Sequence, residues 1–176
     1  MMTPRTATPA SLAHPIRQAG FTLIELIVLI VILGVLAATA LPKFVGLGGN
    51  ARYASLSAAR GSLTAVAAMA HGRYLINAKT TQVLEDVELE MLYGYPSATQ
   101  ATADAAGLKD YTIYTQVSGP TATTPNVYAG SMAIVPNDIA GTAKSIDCYL
   151  VYEQASASNP APQITIGGNT TASTCN

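Results

Sequence analysis

A chain of 176 residues, 49% hydrophobic and only 11% charged, has room for one domain with its own core plus a tail or anchor. Nine lysines and arginines against ten acidic residues leave a formal net charge of −1. No basic stripe is available to meet phosphates, which argues against nucleic acid as a partner.

Residues 1–20 contain Pro4, Pro9 and Pro15 with Arg5, His14 and Arg17, a weakly basic leader that cannot be a helix. An apolar run follows from Phe21 to Leu41, in which Glu25 is the only charged residue. As a helix the run spans roughly 30 Å, the depth of a bilayer core. The basic leader should then stay on the cytoplasmic side. A carboxylate within such a span costs a few kcal/mol, about 2.5–3.5 at mid-depth and less near the interface. Glu25 therefore either snorkels into the headgroups or has a task. Two places fit processing. Ala37-Ala38-Thr39-Ala40 imitates an ordinary signal cut after the apolar run, and Gly20-Phe21 is a small-to-aromatic junction before it.

Pro42 removes a helix hydrogen bond, so a kink or break is expected there. The stretch Gly46-Leu47-Gly48-Gly49-Asn50 lacks the preceding strand and the following Lys-Ser or Lys-Thr of a phosphate loop, and reads as a hinge. From about Ala51 to Tyr74 the pattern is helical: Leu56, Ala59, Leu63, Val66, Ala70 and Tyr74 recur every three or four residues, with Arg52 and Arg60 on another face. Gly61 weakens this helix by about 1 kcal/mol relative to alanine. The stripe is expected to pack on a sheet. Four later segments read as strands: Tyr111 to Val117, Ser131 to Val135, Ile146 to Glu153 and Gln163 to Ile166. A long helix followed by a meander is an α+β layout.

The candidate chemistry is sparse. Cys148 and Cys175 have no CxxC spacing and no neighbouring histidine, so a zinc or thioredoxin-type site is not indicated. Outside the cytosol they would pair, and closing the loop would stabilise the fold by about 3–4 kcal/mol in a chain-entropy account; inside it they would stay as two thiols. Glu85, Asp86, Glu88 and Glu90 form an acidic run whose spacing matches no calcium loop, which favours a solvated face or a contact loop. His14 lies in the leader, and His71 has no acid or nucleophile near it in sequence. Asn169-Thr170-Thr171 matches a glycosylation acceptor pattern. No GxSxG or other nucleophile signature occurs, so neither enzyme chemistry nor a cofactor is expected.

The heptapeptide GFTLIEL (Gly20 to Leu26), the apolar run, Gly34 and Pro42 together resemble the amino-terminal signature of type IV pilins and pseudopilins. More loosely, Pro42-Lys43-Phe44, Ala51-Arg52, YGYPSAT (Tyr93 to Thr99) and CYLVYEQA (Cys148 to Ala155) are similar to type IVa pilins of the mannose-sensitive haemagglutinin group. The leader is longer than is usual in the type IVa branch. The resemblance implies a leader of residues 1–20 removed after Gly20 by a prepilin peptidase, methylation of the new amino terminus at Phe21, a transmembrane and assembly helix over 21–42, and a globular domain over 43–176. It implies that Gly34 and Pro42 interrupt the helix, and that Glu25 faces the amine of Phe21 on a neighbouring copy. The implied precursor sits in inner-membrane lipid until the pilus assembly machinery adds it to a homopolymeric, extracellular fibre for surface attachment. Two alternatives stand beside it: a pseudopilin of a secretion system, and a membrane-anchored binding protein that forms no polymer.

Overall fold

The computed structural model describes residues 20–44, 46–116 and 119–176. The expected leader, apart from Gly20, lies outside the described residues. The chain divides into two units, Met1–Pro42 and Lys43–Asn176.

The first unit is dominated by helix α1, Leu23–Phe44. Thr22 starts it, its Oγ1 accepting the Glu25 backbone N–H at 3.3 Å. This is one half of a Thr-x-x-Glu capping box, in which the cap satisfies a backbone donor that no helical carbonyl can reach. The span Leu23–Leu41 is long and apolar enough to cross a membrane, and none of it is buried. Gly34 lies inside the helix with no atom near its missing side chain. The helix breaks at neither Gly34 nor Pro42 but runs on to Phe44. Proline at position 42 deletes a single bond, to the carbonyl four residues back, and so near the helix end that loss is tolerated. Gly46 lies in a turn, outside the helix.

In the second unit, helix α2 covers Leu47–Asn77, four residues earlier than its periodicity indicates. Leu47 to Asn50, expected as a hinge, forms its first turn. A Cβ on Gly49 would overlap the Ala172 carbonyl oxygen and lie 2.9 Å from Asn176 Cβ. Gly49 is therefore a packing glycine at which a second chain segment comes close. The predicted stripe is the buried face of α2, with Leu56, Ala59, Leu63, Val66 and Ala70 all inside. Tyr74 is half-buried against Gly94. The alanines bring the helix backbone near the sheets, and the leucines fill the space between them.

Two antiparallel sheets cover this face. The first has the order β1 (Thr81–Leu84), β2 (Val87–Leu92), β3 (Tyr95–Pro96). Its two turns put positive φ at both central residues: 50° and 61° at Glu85-Asp86, 50° and 84° at Tyr93-Gly94. Such two-residue turns match the twist of a hairpin. A short helix α3, Gln100–Ala105, follows. The second sheet is a four-stranded meander, β4 (Tyr111–Tyr114), β5 (Ser131–Pro136), β6 (Leu150–Glu153), β7 (Gln163–Ile166). Every residue of β5 is buried. β4 stops three residues short of the expected Val117, which itself lies outside the described residues. The start expected for β6 at Ile146 belongs instead to a single 3-10 turn, Ala143–Ile146, capped by Thr142 Oγ1 on the Lys144 N–H. The α+β layout follows from one helix closing two small sheets.

Candidate functional site

The residues expected to matter most lie together at the start of α1. Gly20 and Phe21 precede the helix, and Phe21 is 88% exposed. Glu25 stands in the first turn, where a negative charge opposes the positive end of the helix dipole. The capping bond uses only its backbone N–H, so the carboxylate is left for other partners. Among the described residues no cation lies within ion-pair distance of it. Behind Glu25 stand fully apolar turns, including Leu29, Leu33 and Leu36, each more than half exposed. An apolar surface of this extent has no counterpart among the described residues and calls for lipid or other protein. Gly34 adds a small residue where a second helix can approach closely.

The second cluster sits at the far end of the chain sequence. Cys148 and Cys175 form a disulfide, their Cα atoms 5.0 Å apart, and both are fully buried. Beside the bond is Arg52, which the sequence pattern put on an outward face. Its Nε pairs with Asp138 Oδ2 at 2.7 Å, and its guanidinium also donates to the Cys175 carbonyl at 2.5 Å. Arg52 stands four residues before Leu56, on the core stripe. That spacing was the available signal, and the charge concealed it. Arg60, by contrast, is exposed as expected.

The remaining candidates separate. The acidic run is the tip and outer face of the β1–β2 hairpin: Glu85 and Asp86 form the turn, while Glu88 and Glu90 point outward opposite Val83 and Thr81. No group of three metal-ligating side chains occurs among the described residues. His71 stacks on Tyr95 with ring centroids 4.1 Å apart and shares a 2.8 Å hydrogen bond with the Gly94 carbonyl. That bond occupies its Nδ1 in holding the Tyr93-Gly94 turn. Asn169 is exposed, its amide donating to Asp147 at 3.4 Å. Tyr152 donates its hydroxyl to the Pro96 carbonyl at 2.6 Å and so joins β6 to β3. Burial holds its phenol far above the ordinary value of 10.0. The Tyr149 phenol is raised too, first by burial and then by Tyr128 and Asp147. Both are structural phenols in their neutral form.

An apolar, exposed helix capped by Thr-x-x-Glu directly after a Gly-Phe junction defines a class of amino terminus. The family model for the prokaryotic N-terminal methylation motif matches residues 16–41. The chain carries that motif, the prepilin signature of type IV pilins. Over 54 residues it is 44% identical to the type IV narrow pilus major component PilA5 of Thermus thermophilus. The aligned part is 31% of this chain and 47% of that protein, so it spans about half the relative's length. No solved structure matches the chain.

Proposed function

We propose that this protein is a structural, non-catalytic subunit of a type IV pilus. The observation that carries the reading is the helix Leu23–Leu41, wholly unburied within its own chain and lying inside a methylation motif. In the precursor, α1 crosses the inner membrane and the globular unit stands outside the cytosol, where a buried disulfide is stable. A prepilin peptidase cuts between Gly20 and Phe21, and the new amino terminus of Phe21 is methylated. Assembly machinery then transfers α1 from lipid into a bundle of identical helices.

Glu25 gives that transfer its register. In a helical bundle its carboxylate is removed from both water and headgroups, and an unpaired charge there is strongly unfavourable. The terminal amine of Phe21 on a neighbouring copy is a cation that every arriving subunit brings at a fixed height. Pairing of the two selects one axial offset, and the offset repeats along the fibre. Because such contacts are heterologous, they extend into an open filament and do not close into a dimer.

The relative's name, a pilus major component, favours a fibre over the short polymer of a pseudopilin. The likeness to haemagglutinin pilins points further, to surface attachment. The test has two readouts on the native membrane and surface fractions. Amino-terminal mass spectrometry should find mature chain beginning at methylated Phe21, and electron microscopy should find filaments built of this subunit. A mature chain beginning after Ala40 would overturn the reading. Correct methylation without surface filaments, together with a secretion defect on deletion, would assign the chain to the pseudopilins.

A further inference from the structure

We propose that the carboxyl-terminal segment Thr171–Asn176 is a latch that holds the first turns of α2 helical, and that closure of the Cys148–Cys175 bond sets it. The start of α2 is poorly equipped to form a helix alone. Its cap is Gly46, which has no side-chain bond to offer, and its first turn has no acidic residue. Gly48 and Gly49 are the residues of lowest helix preference short of proline. Yet the helix is regular from Leu47 onward.

What replaces the missing local preference is tertiary. Gly49 is buried, and only the absence of its side chain lets Ala172 and Asn176 close over it. One turn on, Arg52 grips the Cys175 carbonyl with one arm and Asp138 with the other, tying the helix to both the latch and the loop after β5. The latch is held in turn by Cys175 N–H on the Thr171 carbonyl at 3.0 Å and by Thr174 Oγ1 on the Asp147 carbonyl at 3.1 Å. Its one covalent fastening is the disulfide, which fixes Cys175 to the residue two before β6. Without that bond, the segment's few hydrogen bonds must by themselves offset its ordering entropy.

Closure therefore couples oxidation to helix formation. Cys148 and Cys175 surrender two electrons and their two thiol protons to the disulfide of a thiol oxidant, which leaves as a dithiol. The S–S bond places the Cys175 carbonyl in reach of Arg52, a positioning residue that acts through the latch. The start of α2 then orders. Such a switch keeps this segment unformed until the domain meets an oxidising compartment.

Amide hydrogen exchange on the full chain in detergent micelles tests this. Replacing Cys175 with serine should speed exchange of the Asn50 to Ser55 amides by about tenfold or more beyond the change at the β5 amides, which follow the loss of global stability. If Cys175→Ser exchanges everywhere, the oxidised variants Arg52→Ala and Gly49→Ala decide the matter. Gly49→Ala is the sharper probe. In an unconstrained helix alanine slows exchange, whereas here its Cβ evicts Ala172 and should speed exchange of the same amides with the disulfide intact. Slower or unchanged exchange in Gly49→Ala, or parental exchange over Asn50 to Ser55 in otherwise folded Cys175→Ser, overturns the latch.

Discussion

Helices α1 and α2 succeed one another with only positions 45 and 46 between them, and they solve opposite problems. In α2 the apolar residues occupy one stripe, and the same chain supplies the two sheets that cover it. In α1 apolar residues occupy every face, and no part of Leu23–Leu41 is covered. A helix that is apolar all round is stable only where something apolar surrounds it, in lipid or among other helices. The two surfaces therefore differ in who completes them. α2 is completed by folding, and α1 needs something apolar from outside its own chain.

Glu25→Ala should break the comparison most visibly. Loss of the carboxylate leaves α1 easier to keep in the membrane, since the cost of holding a charge there is gone. Cleavage at Gly20 should continue, because the junction is intact. Filament assembly should fail or drop severely, since each arriving Phe21 amine would enter the core without a counter-charge. Filaments of normal number and length by electron microscopy would show that Glu25 only snorkels.

Matched leucine truncations sharpen the contrast. Leu63→Ala removes a fully buried side chain of α2 and should lower the unfolding free energy of the globular unit by about 4 kcal/mol in chemical denaturation. Leu33→Ala, on the exposed surface of α1, should leave that free energy unchanged and show its effect only in filaments. Equal destabilisation by the two would mean that α1 is covered by its own chain.

Breaking the disulfide should act on the globular unit alone. Cys175→Ser should cost about 3 kcal/mol of domain stability, the loop-entropy term for a bond with sequence separation 27. Processing at Gly20-Phe21 should proceed as before, by mass spectrometry of the membrane form. Free-thiol labelling of native protein should find neither cysteine.

The smallest effect concerns the phenol that joins the sheets. Tyr152→Phe leaves the Pro96 carbonyl unpaired and should cost about 1 kcal/mol. Its pH dependence has a definite sign. The folded phenol titrates above its ordinary value of 10.0, so its contribution is whole below about pH 10. Above that the unfolded chain ionises first, and stability falls with rising pH until the folded phenol also titrates. Tyr152→Phe should flatten that alkaline decline in the denaturation midpoint.

The hidden elements were hidden for physical reasons. Strands β1 to β3 are not among the expected strands, although Val87 to Leu92 alternates, because Glu85, Asp86, Glu88 and Glu90 have low strand preference and the pairing of β1 with β2 supplies what they lack. The turn at Tyr93-Gly94 was equally obscure, since φ of 50° is uncommon for tyrosine and is held there by His71 and Tyr95 around it. Arg52 looked like a surface cation until Asp138 and Cys175, far along the chain, gave it partners.

By itself the sequence determined whatever depends on local order. It set the unbroken apolar run with one acid near its start, the Thr-x-x-Glu cap, the stripe on α2 and the β-branched and aromatic content of β4 to β7. A helix needs only its own residues to display a face, so periodicity reveals it. Tertiary structure alone decided that the glycines at 48 and 49 join α2, and that Arg52 turns inward. In each case a weak local preference was outweighed by partners distant in sequence: Ala172, Cys175 and Asn176 at one end of the chain fix the conformation of Gly49 and Arg52 near the other. Contacts between such remote positions leave no period to read, because they arise only when the chain has closed on itself.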